Sequence, residues 1–475
     1  MTSDEKTCLK QDFSPSEGGT SGEPQELDIN EALEGASFGF GTLLYCVGPF
    51  LLFCLEGAEI IVLSIVGLMV KCEWELSAGW VSALQMVVLV GMMLGSLFGS
   101  PAGDRFGRKP VCLVCSVGLS VTGLLSGFVT TFWQLFLLRG LVGFFAGVAG
   151  GPALALSGEV PPARYRAAGL SCIALAWGVG ASITSGLAYF VVEPYGWRGL
   201  LIAAALAFAP SIPCFILIGE SPRYDVTRGR FESAQRTLRT LYRLNRQPKS
   251  DIKLKRDHVT SAPEEGTSIF KTLCETGSVW NLALICAMGG CAVFGYYAIA
   301  YSIPRFLNEG YCSGVVVSTT ESCTFDKSVL FDLGVVSLSE PLGVLIAVIT
   351  VDIIGRRRTF FAAQAMFLVA VTALYFCVGY AYLMVWITAA RMTIAAICWS
   401  PYIITAEYFP TRVRSCAIAL FFCCSRVAGM VGIWVAQVTY SASPRLLLGV
   451  VQVAVVLCAA CLGMLKRETM GAEIQ

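Results

Sequence analysis

The chain of 475 residues is 55% hydrophobic and only 14% charged, with a mean hydropathy of +0.68. Because soluble proteins carry about 25% charged residues, this composition excludes an ordinary soluble protein and indicates a polytopic membrane protein. The 34 basic and 33 acidic residues nearly cancel, so no net field favours nucleic acid. A single histidine and the lack of a G-x-x-x-x-G-K-[ST] sequence disfavour His-based metal sites, His-based triads and ATP-driven pumping. We therefore expect no metal, cofactor, enzymatic activity or nucleic-acid partner.

The sequence divides into two apolar halves separated by a polar linker. Residues 1–36 are acidic and rich in Ser, Gly and Pro, which predicts a disordered tail. The linker, 220–276, is basic, and its run 231–242 has the spacing of an amphipathic helix on the membrane surface. A short tail, 467–475, ends the chain. The halves, 37–219 and 277–466, each contain six runs able to cross about 30 Å of hydrocarbon: 38–70, 77–100, 111–130, 132–158, 166–192 and 197–218, then 277–301, 328–350, 359–380, 382–405, 413–438 and 444–465.

These runs predict an all-α membrane protein of twelve transmembrane helices, whose orientation follows from the loops. The linker and the loops around 103–110, 159–166, 351–358 and 407–414 hold most of the Lys and Arg. Since basic loops stay in the cytoplasm, both termini and the linker are expected there. The opposite loops hold five basic residues: Lys71, Arg198, Arg305, Lys327 and Arg445.

Two loop sequences recur at one spacing. Gly103-Asp104-Arg105-Phe106-Gly107-Arg108-Lys109 shares its Asp, Gly and Arg with the stretch from Val351 to Arg357, 248 residues later. The stretch from Glu159 to Arg166 shares its Glu, a Pro and both Arg with the stretch from Glu407 to Arg414 at the same offset. Each half is therefore predicted to be one copy of a six-helix unit.

The Asp-x-x-Gly-Arg-[Arg/Lys] loop after the second helix of each half resembles the signature of the major facilitator superfamily. Arg139-Gly140, the Glu220-Ser221-Pro222-Arg223-Tyr224 run and Arg467-Glu468-Thr469 are similar to motifs of its sugar porters and organic ion transporters. The seventh span, Gly289 to Tyr297, lacks the paired Gln of sugar porters. Cys72-Glu73-Trp74, the Leu138–Phe144 stretch, the 220–226 stretch and Ser425-Arg426-Val427 most resemble the synaptic-vesicle-2-related proteins.

This resemblance implies transport by alternating access and a gate of breakable ion pairs on the cytoplasmic side. Arg139 and Arg391 are expected near that face, as partners of Glu159 and Glu407. The implied gate residues are Asp104, Arg108, Arg139, Glu159, Arg164, Asp352, Arg356, Arg391, Glu407 and Arg412.

Among the charged residues inside predicted spans, where ionisable groups are costly and commonly functional, four are the main candidates for solute recognition: Glu56, Glu59, Glu340 and Arg426. Glu56 and Glu59 lie three apart in the first span, hence on one face, and resemble an acid-x-x-acid pair of the synaptic-vesicle-2-like group. They suit proton coupling or cation recognition, or alternatively salt bridges to Arg426 or Arg391. Arg426 lies where organic ion transporters select substrate charge, and it would favour an anion or pair with Glu56 or Glu59. Glu340 is expected to line the cavity.

Aromatic and cysteine residues give further candidates. Tyr296, Tyr297 and Trp399 are candidate cavity residues, although core or lipid contacts explain such positions equally well. Most of the twenty cysteines lie in apolar spans, where Cys behaves as a small hydrophobe. Cys312 and Cys323 share one extracytoplasmic loop and form the candidate disulfide.

The function predicted from the sequence is secondary-active or facilitative transport of a small charged organic solute, with protons or another ion as a candidate coupling partner. The alternatives are a non-transporting receptor or scaffold on the same fold and a sugar facilitator. We expect a monomer in the lipid bilayer of the plasma membrane or of an intracellular vesicle.

Overall fold

The computed structural model describes residues 26–247, 253–255, 279–308, 325–376, 378–409 and 411–465. Almost all of these residues are helical. Two short strands, β1 (Glu26–Leu27) and β2 (Lys253–Leu254), pair in parallel. The helices are α1 (Ile29–Gly35), α2 (Phe40–Glu73), α3 (Ala78–Phe106), α4 (Arg108–Leu125), α5 (Phe132–Glu159), α6 (Ala163–Phe208), α7 (Ser211–Leu217), α8 (Pro222–Thr227), α9 (Phe231–Leu244), α10 (Val279–Asn308), α11 (Lys327–Ile354), α12 (Arg356–Ala373), α13 (Tyr380–Tyr408), α14 (Thr411–Ala442) and α15 (Pro444–Met464).

Ten of the described helical segments are long and apolar enough to cross a membrane. One of them, Cys172–Leu217, contains two spans, because α6 is broken at Gly196. Gly196 has a φ of +64°, which residues other than glycine rarely adopt. The segment α12 is 18 residues long, and three arginines at its start lower its hydropathy. Counting both arms of α6 and α12 gives the twelve predicted spans, and the architecture confirms the predicted fold class.

Glycines set the closest helix contacts within the first half. Gly95 of α3 and Gly147 of α5 face each other's helix: a Cβ on Gly95 would lie 2.1 Å from the Phe144 carbonyl oxygen, and one on Gly147 would lie 2.1 Å from the Met92 carbonyl oxygen. Such contacts leave room only for hydrogen, so both helix backbones approach closely. The glycines of α3 and α5 therefore form packing surfaces between these two helices within one chain.

The two halves meet through equivalent helices. In the first half α3 and α6 face the second half, where they pack against α14 and α11 respectively. The offset of 248 residues maps α3 onto α11 and the first arm of α6 onto α14. The two contacts are therefore related by the internal repeat, which is the geometry of a transporter built from parallel repeats.

We call the end of the bundle that carries the 104–108 and 352–356 loops the basic end, and the other the opposite end. At the opposite end the halves are joined by buried hydrogen bonds. The Ser185 hydroxyl donates to the Ser337 hydroxyl over 2.7 Å, and Gln437 Nε2 donates to Gln85 Oε1 over 3.3 Å. An exposed Lys327–Glu193 ion pair of 3.0 Å lies further out. The halves are thus closed against each other at the opposite end.

The segment 26–36 corrects the predicted boundary of the disordered tail. It forms β1 and α1, and Leu33 is fully buried. Asp28 caps α1, because its side chain accepts a hydrogen bond from the Asn30 backbone N–H. The Tyr242 hydroxyl of α9 then donates to the Ala32 carbonyl over 2.8 Å. Residues 1–25 lie outside the described chain.

The helix predicted on the membrane surface exists as α9, but its apolar face has a different partner. Leu238 and Leu241 are buried against the protein, and α9 packs on α2 and α8. The Asn245 side chain that follows α9 makes five hydrogen bonds, accepting from the backbone of Gly41 and Thr42 and donating to Ala36, Ser37 and Thr42. The linker therefore clamps the start of α2. An amphipathic pattern does not distinguish a lipid surface from a protein surface.

Candidate functional site

A cavity of about 80 Å³ lies near the middle of the bundle. Because Trp177, Tyr296 and Arg426 each lie near the middle of a spanning helix, the cavity is close to the bilayer midplane. The first half contributes Trp177 and the second half the rest. Its walls are formed by Trp177, Val293, Tyr296, Tyr297, Glu340, Ala395, Cys398, Trp399, Tyr402, Phe421, Phe422, Ser425 and Arg426. The predicted cavity residues Glu340, Tyr296, Tyr297, Trp399 and Arg426 are therefore brought together.

Arg426 joins the two halves across this cavity. Its Nη2 lies 3.1 Å from Glu56 Oε2 of α2, and its Nη1 donates to the Tyr297 hydroxyl over 3.2 Å. The Arg426 side chain remains 15% exposed, whereas that of Glu56 is 7% exposed. The guanidinium therefore borders the cavity, while the carboxylate lies behind it. Of the alternatives considered for Glu56, the structure shows the salt bridge to Arg426.

A second ionic network occupies the second half. Arg391 Nη2 lies 2.7 Å from Glu340 Oε2, and both side chains are 1% exposed. The Tyr296 hydroxyl donates to Glu340 Oε1 over 2.5 Å and accepts from Arg391 Nη2 and from Trp177 Nε1 over 3.2 and 2.7 Å. The Tyr296 hydroxyl thus makes all three hydrogen bonds that a hydroxyl can make. Its bond with Trp177 also links the second half to the first.

Glu59 does not share a site with Glu56. Both oxygens of Glu59 accept from Arg139 Nη1, at 3.1 and 3.0 Å, and Arg139 Nη2 donates to the Ser126 hydroxyl over 2.7 Å. Arg139 is 1% exposed. The two glutamates therefore bind different arginines, Glu59 inside the first half and Glu56 across the halves.

This arrangement corrects the predicted roles of Arg139 and Arg391 in the gate. Twenty residues of α5 separate Arg139 from Glu159, which at 1.5 Å per residue is about 30 Å. Sixteen residues of α13 separate Arg391 from Glu407. Both arginines therefore lie deep in the bundle, far from the basic end, and neutralise Glu59 and Glu340 there.

At the basic end, Arg108 is the centre of an ion-pair cluster in the first half. Its Nη2 lies 3.2 Å from both Asp104 Oδ1 and Glu159 Oε1. The Ser221 hydroxyl donates to the other Glu159 oxygen over 2.5 Å. Arg164 is exposed and stacks over the Tyr165 ring, without an ion pair to Glu159 among the described residues. The predicted Asp104–Arg108–Glu159 association is present, and Arg164 is not part of it.

Glu220, which the sequence marks only as part of a motif, lies beside this cluster. Its Oε1 accepts from the backbone N–H groups of Arg108 and Lys109 over 3.2 Å each, at the start of α4. A carboxylate is favoured there because the first N–H groups of a helix have no partner within the helix. Burial raises the pKa of Glu220, opposed by hydrogen bonds from the backbone of Ser221, Lys109 and Arg108. Gly107 lies beside this carboxylate with a φ of +109°, a backbone conformation that favours glycine.

Part of the predicted site lies outside the described chain. The side chains of Asp352, Glu407 and Arg412 are not described, nor are Cys312 and Cys323. Arg356, which is described, donates from Nη1 to the Val351 carbonyl over 3.3 Å, as its counterpart Arg108 does to the Gly103 carbonyl over 3.4 Å. Cys72, near the end of α2, is disulfide-bonded, which its sequence position did not predict.

The chemistry available at the cavity is recognition of one charged group by an aromatic pocket. Three glutamates and three arginines lie in the middle of the bundle, and they form three one-to-one pairs. Of these six side chains only Glu340 and Arg426 border the cavity. Both charged side chains that border the cavity are therefore already paired, Glu340 with Arg391 and Arg426 with Glu56.

Comparison with known proteins agrees with this architecture. The family model described as "Sugar (and other) transporter" matches residues 71–471. The chain is 30% identical to the synaptic vesicle 2-related protein of Bos taurus and 29% identical to that of Rattus norvegicus, over 94% of this chain and 82% of each relative. Among solved structures, the xylose transporter XylE from E. coli, in a partially occluded inward-open conformation, superposes with a TM-score of 0.69. That alignment has 16% identity and covers 91% of this chain and 99% of XylE.

The family match spans most of the chain, and its relatives are similar from the first half to the last span. The two-fold repeat, the central cavity and the Asp104–Arg108–Glu159 cluster agree with this match. The chain therefore belongs to the sugar (and other) transporter family of the major facilitator superfamily and is a multi-pass transmembrane transporter of a small-molecule solute.

Proposed function

We propose that this transporter carries a small organic anion, a carboxylate with an apolar body, together with a proton. The observation that supports this proposal is the Glu56–Arg426 pair, in which the arginine borders the cavity and the glutamate lies behind it in the other half. A guanidinium offers two parallel N–H donors to a carboxylate. A solute carboxylate entering the cavity would meet Arg426 before any other cation.

The proton follows from the exchange of partners. When the solute carboxylate takes the place of Glu56 at Arg426, the Glu56 carboxylate is left buried without a cation. A buried unpaired carboxylate is disfavoured in its charged form, so Glu56 binds a proton. One anion and one proton then occupy the site together, and the charge of the cavity is unchanged.

The same exchange explains how solute binding is linked to alternating access. The Glu56–Arg426 bond joins α2 of the first half to α14 of the second. Solute binding would replace this bond between the halves by a bond inside the second half. A ligand shifts a conformational equilibrium only through such a difference between states.

The walls of the cavity define the rest of the solute. Trp177, Trp399 and Phe422 provide flat apolar surfaces, and the Ser425 hydroxyl is buried without a described hydrogen-bond partner. An aromatic or branched carboxylate fits this lining better than a sugar, because each sugar hydroxyl needs a hydrogen-bond partner when buried. The volume of about 80 Å³ limits the solute to a small one.

We further infer the setting of the protein from its charges and relatives. The excess of Lys and Arg at the basic end supports a cytoplasmic position for that end and for both termini. The name of the synaptic vesicle 2-related relatives favours a vesicle membrane over the plasma membrane. The described helices complete the transport unit within one chain, so a monomer is sufficient for function.

Uptake by the purified protein in proteoliposomes tests the proposal. The panel consists of benzoate, its uncharged analogue benzamide, benzylamine and glucose, each with and without an inwardly directed proton gradient. We expect benzoate alone to accumulate, and only with the gradient. Arg426→Ala abolishes this uptake, whereas Arg445→Ala, at an exposed arginine of the opposite end, preserves it.

Accumulation of glucose or benzylamine in place of benzoate would contradict the proposal, and the first result would indicate a sugar facilitator. Arg426→Lys separates charge from geometry, because lysine keeps the cation without the planar fork. We expect this variant to retain benzoate uptake with a raised KM.

A further inference from the structure

Arg305 is a buried arginine without a carboxylate partner among the described residues. It lies near the end of α10 at the opposite end of the bundle and is 6% exposed. Its Nε is buried without a hydrogen-bond partner, and its guanidinium carbon lies 5.4 Å from the centre of the Tyr440 ring. A cation over an aromatic ring recovers only part of what burial of a charge costs. The position therefore holds a cation that the described structure does not neutralise.

Three other arginines in the middle of the described spans show how unusual this is. Arg139, Arg391 and Arg426 lie 3.0, 2.7 and 3.1 Å from Glu59, Glu340 and Glu56 respectively. Removal of a charge from water is normally compensated by such a partner. Among these four arginines, Arg305 alone has no described carboxylate within ion-pair distance.

Arg305 lies on the same face of α10 as the cavity residue Tyr297. Tyr297, Tyr301 and Arg305 follow one another at intervals of four residues, so they lie along one face of α10. The Tyr297 and Tyr301 rings stack with centroids 6.1 Å apart. Eight residues of helix place Arg305 about 12 Å from Tyr297 along the axis. Since Tyr297 accepts a hydrogen bond from Arg426, this face leads from the cavity to Arg305.

In the described state this route is shut. Every residue of α10 from Gly295 to Leu307 is buried, and the halves are bonded to each other at the opposite end. Alternating access requires those bonds to break when the opposite end opens. Separation of α14 from the first half would then expose the surface that Arg305 and Tyr440 share to solvent from that side.

We propose that Arg305 is an anion-binding site at the opposite end, where the solute carboxylate binds before or after its stay at Arg426. This inference rests on the proposed function, because it takes the solute to be an organic anion. The carboxylate would supply the partner that Arg305 lacks, and the Tyr440 ring would pack against the apolar body of the solute. Arg305 and Arg426 thus form two successive sites on one path.

Thermal unfolding of the purified full-length protein in detergent tests this site without a transport assay. The probe is sodium benzoate, titrated at constant ionic strength, with benzamide as the uncharged control. We expect benzoate to raise the melting temperature of the wild type in a saturable manner and benzamide to leave it unchanged. Arg305→Gln loses part of the shift, and Arg305→Lys retains more of it.

Two comparisons separate this inference from a purely structural role of Arg305 and from the proposed function itself. Without benzoate, Arg305→Gln melts at or above the wild-type temperature, because the substitution removes an unneutralised charge. A lower melting temperature together with an unchanged benzoate shift would overturn the inference and assign Arg305 to packing on Tyr440. Arg426→Gln keeps the part of the shift that depends on Arg305. If Arg426→Gln alone removes the whole shift, the opposite-end site is refuted while the central site stands.

Discussion

Substitution of Glu340 by glutamine tests whether the Glu340–Arg391 pair is a charge-neutralising unit of the second half. The two side chains are 2.7 Å apart and each is 1% exposed. Glu340→Gln keeps the shape of the side chain and offers the Tyr296 hydroxyl an amide oxygen as acceptor. The change therefore removes one charge and little else.

The expected magnitude follows from burial. Breaking a buried ion pair by removing one partner costs about 3–5 kcal/mol, because the remaining charge stays buried and unpaired. Arg391 Nη1 is already without a hydrogen-bond partner, so the remaining guanidinium cannot recover this loss from another described group. We expect a loss in the upper half of this range for Glu340→Gln. The double variant Glu340→Gln with Arg391→Met, which removes both charges, should lie close to the wild type.

Equilibrium unfolding in mixed micelles of a mild detergent and SDS, followed by tryptophan fluorescence, gives the free energy of unfolding for each variant. The double-mutant cycle then yields the interaction energy of the pair. Additive effects of the two single substitutions, or a cost below about 1 kcal/mol for Glu340→Gln, would refute the reasoning that this pair is buried and coupled.

Three further predictions concern packing, the linker and the gate. Gly147→Ala prevents formation of folded, monodisperse protein in size-exclusion chromatography, since its Cβ would lie 2.1 Å from a backbone oxygen, whereas Gly186→Ala, with nothing within 4 Å, does not. Asn245→Ala lowers the free energy of unfolding by about 1–3 kcal/mol, because it leaves buried backbone groups at the start of α2 unpaired, and the exposed Thr240→Ala changes it by less than about 0.5 kcal/mol. The raised pKa of Glu220 means that the folded state binds its proton more tightly than the unfolded state, so this group lowers stability as pH rises above its ordinary value of 4.5. Glu220→Gln should remove that part of the pH dependence in thermal unfolding as pH rises above 4.5.

The spans and the repeat could be predicted because hydrophobic length and loop sequence are local properties. Each predicted run corresponds to a helix or to one arm of α6, and the offset of 248 residues relates the contacts between the halves. The pairing of Asp104, Arg108 and Glu159 was also predictable, because all three lie at helix ends that meet at the basic end. For these three residues, the position in the loops at the helix ends determines both their depth in the membrane and their place in the predicted gate.

Partner choice inside the bundle could not be predicted from the same patterns. Glu56 and Glu59 lie three residues apart, yet one pairs with α14 and the other with α5. Which arginine each glutamate reaches depends on how the helices are rotated and crossed, which no single helix encodes. The depth of Arg139 could have been inferred, since seven residues of α5 precede it from the opposite end. The role of Asn245 gave no signal, because its partners are backbone groups about two hundred residues away.

The central claim is that the solute displaces Glu56 from Arg426 and that the freed Glu56 carries a proton. Proteoliposomes loaded with a pH-sensitive dye and diluted into benzoate at equal pH on both sides test it most directly, once passive benzoic-acid permeation is subtracted with protein-free vesicles. The account predicts benzoate-driven acidification of the lumen by the wild type and by Glu59→Gln, and its loss in Glu56→Gln. Acidification by Glu56→Gln at the wild-type rate would contradict the account.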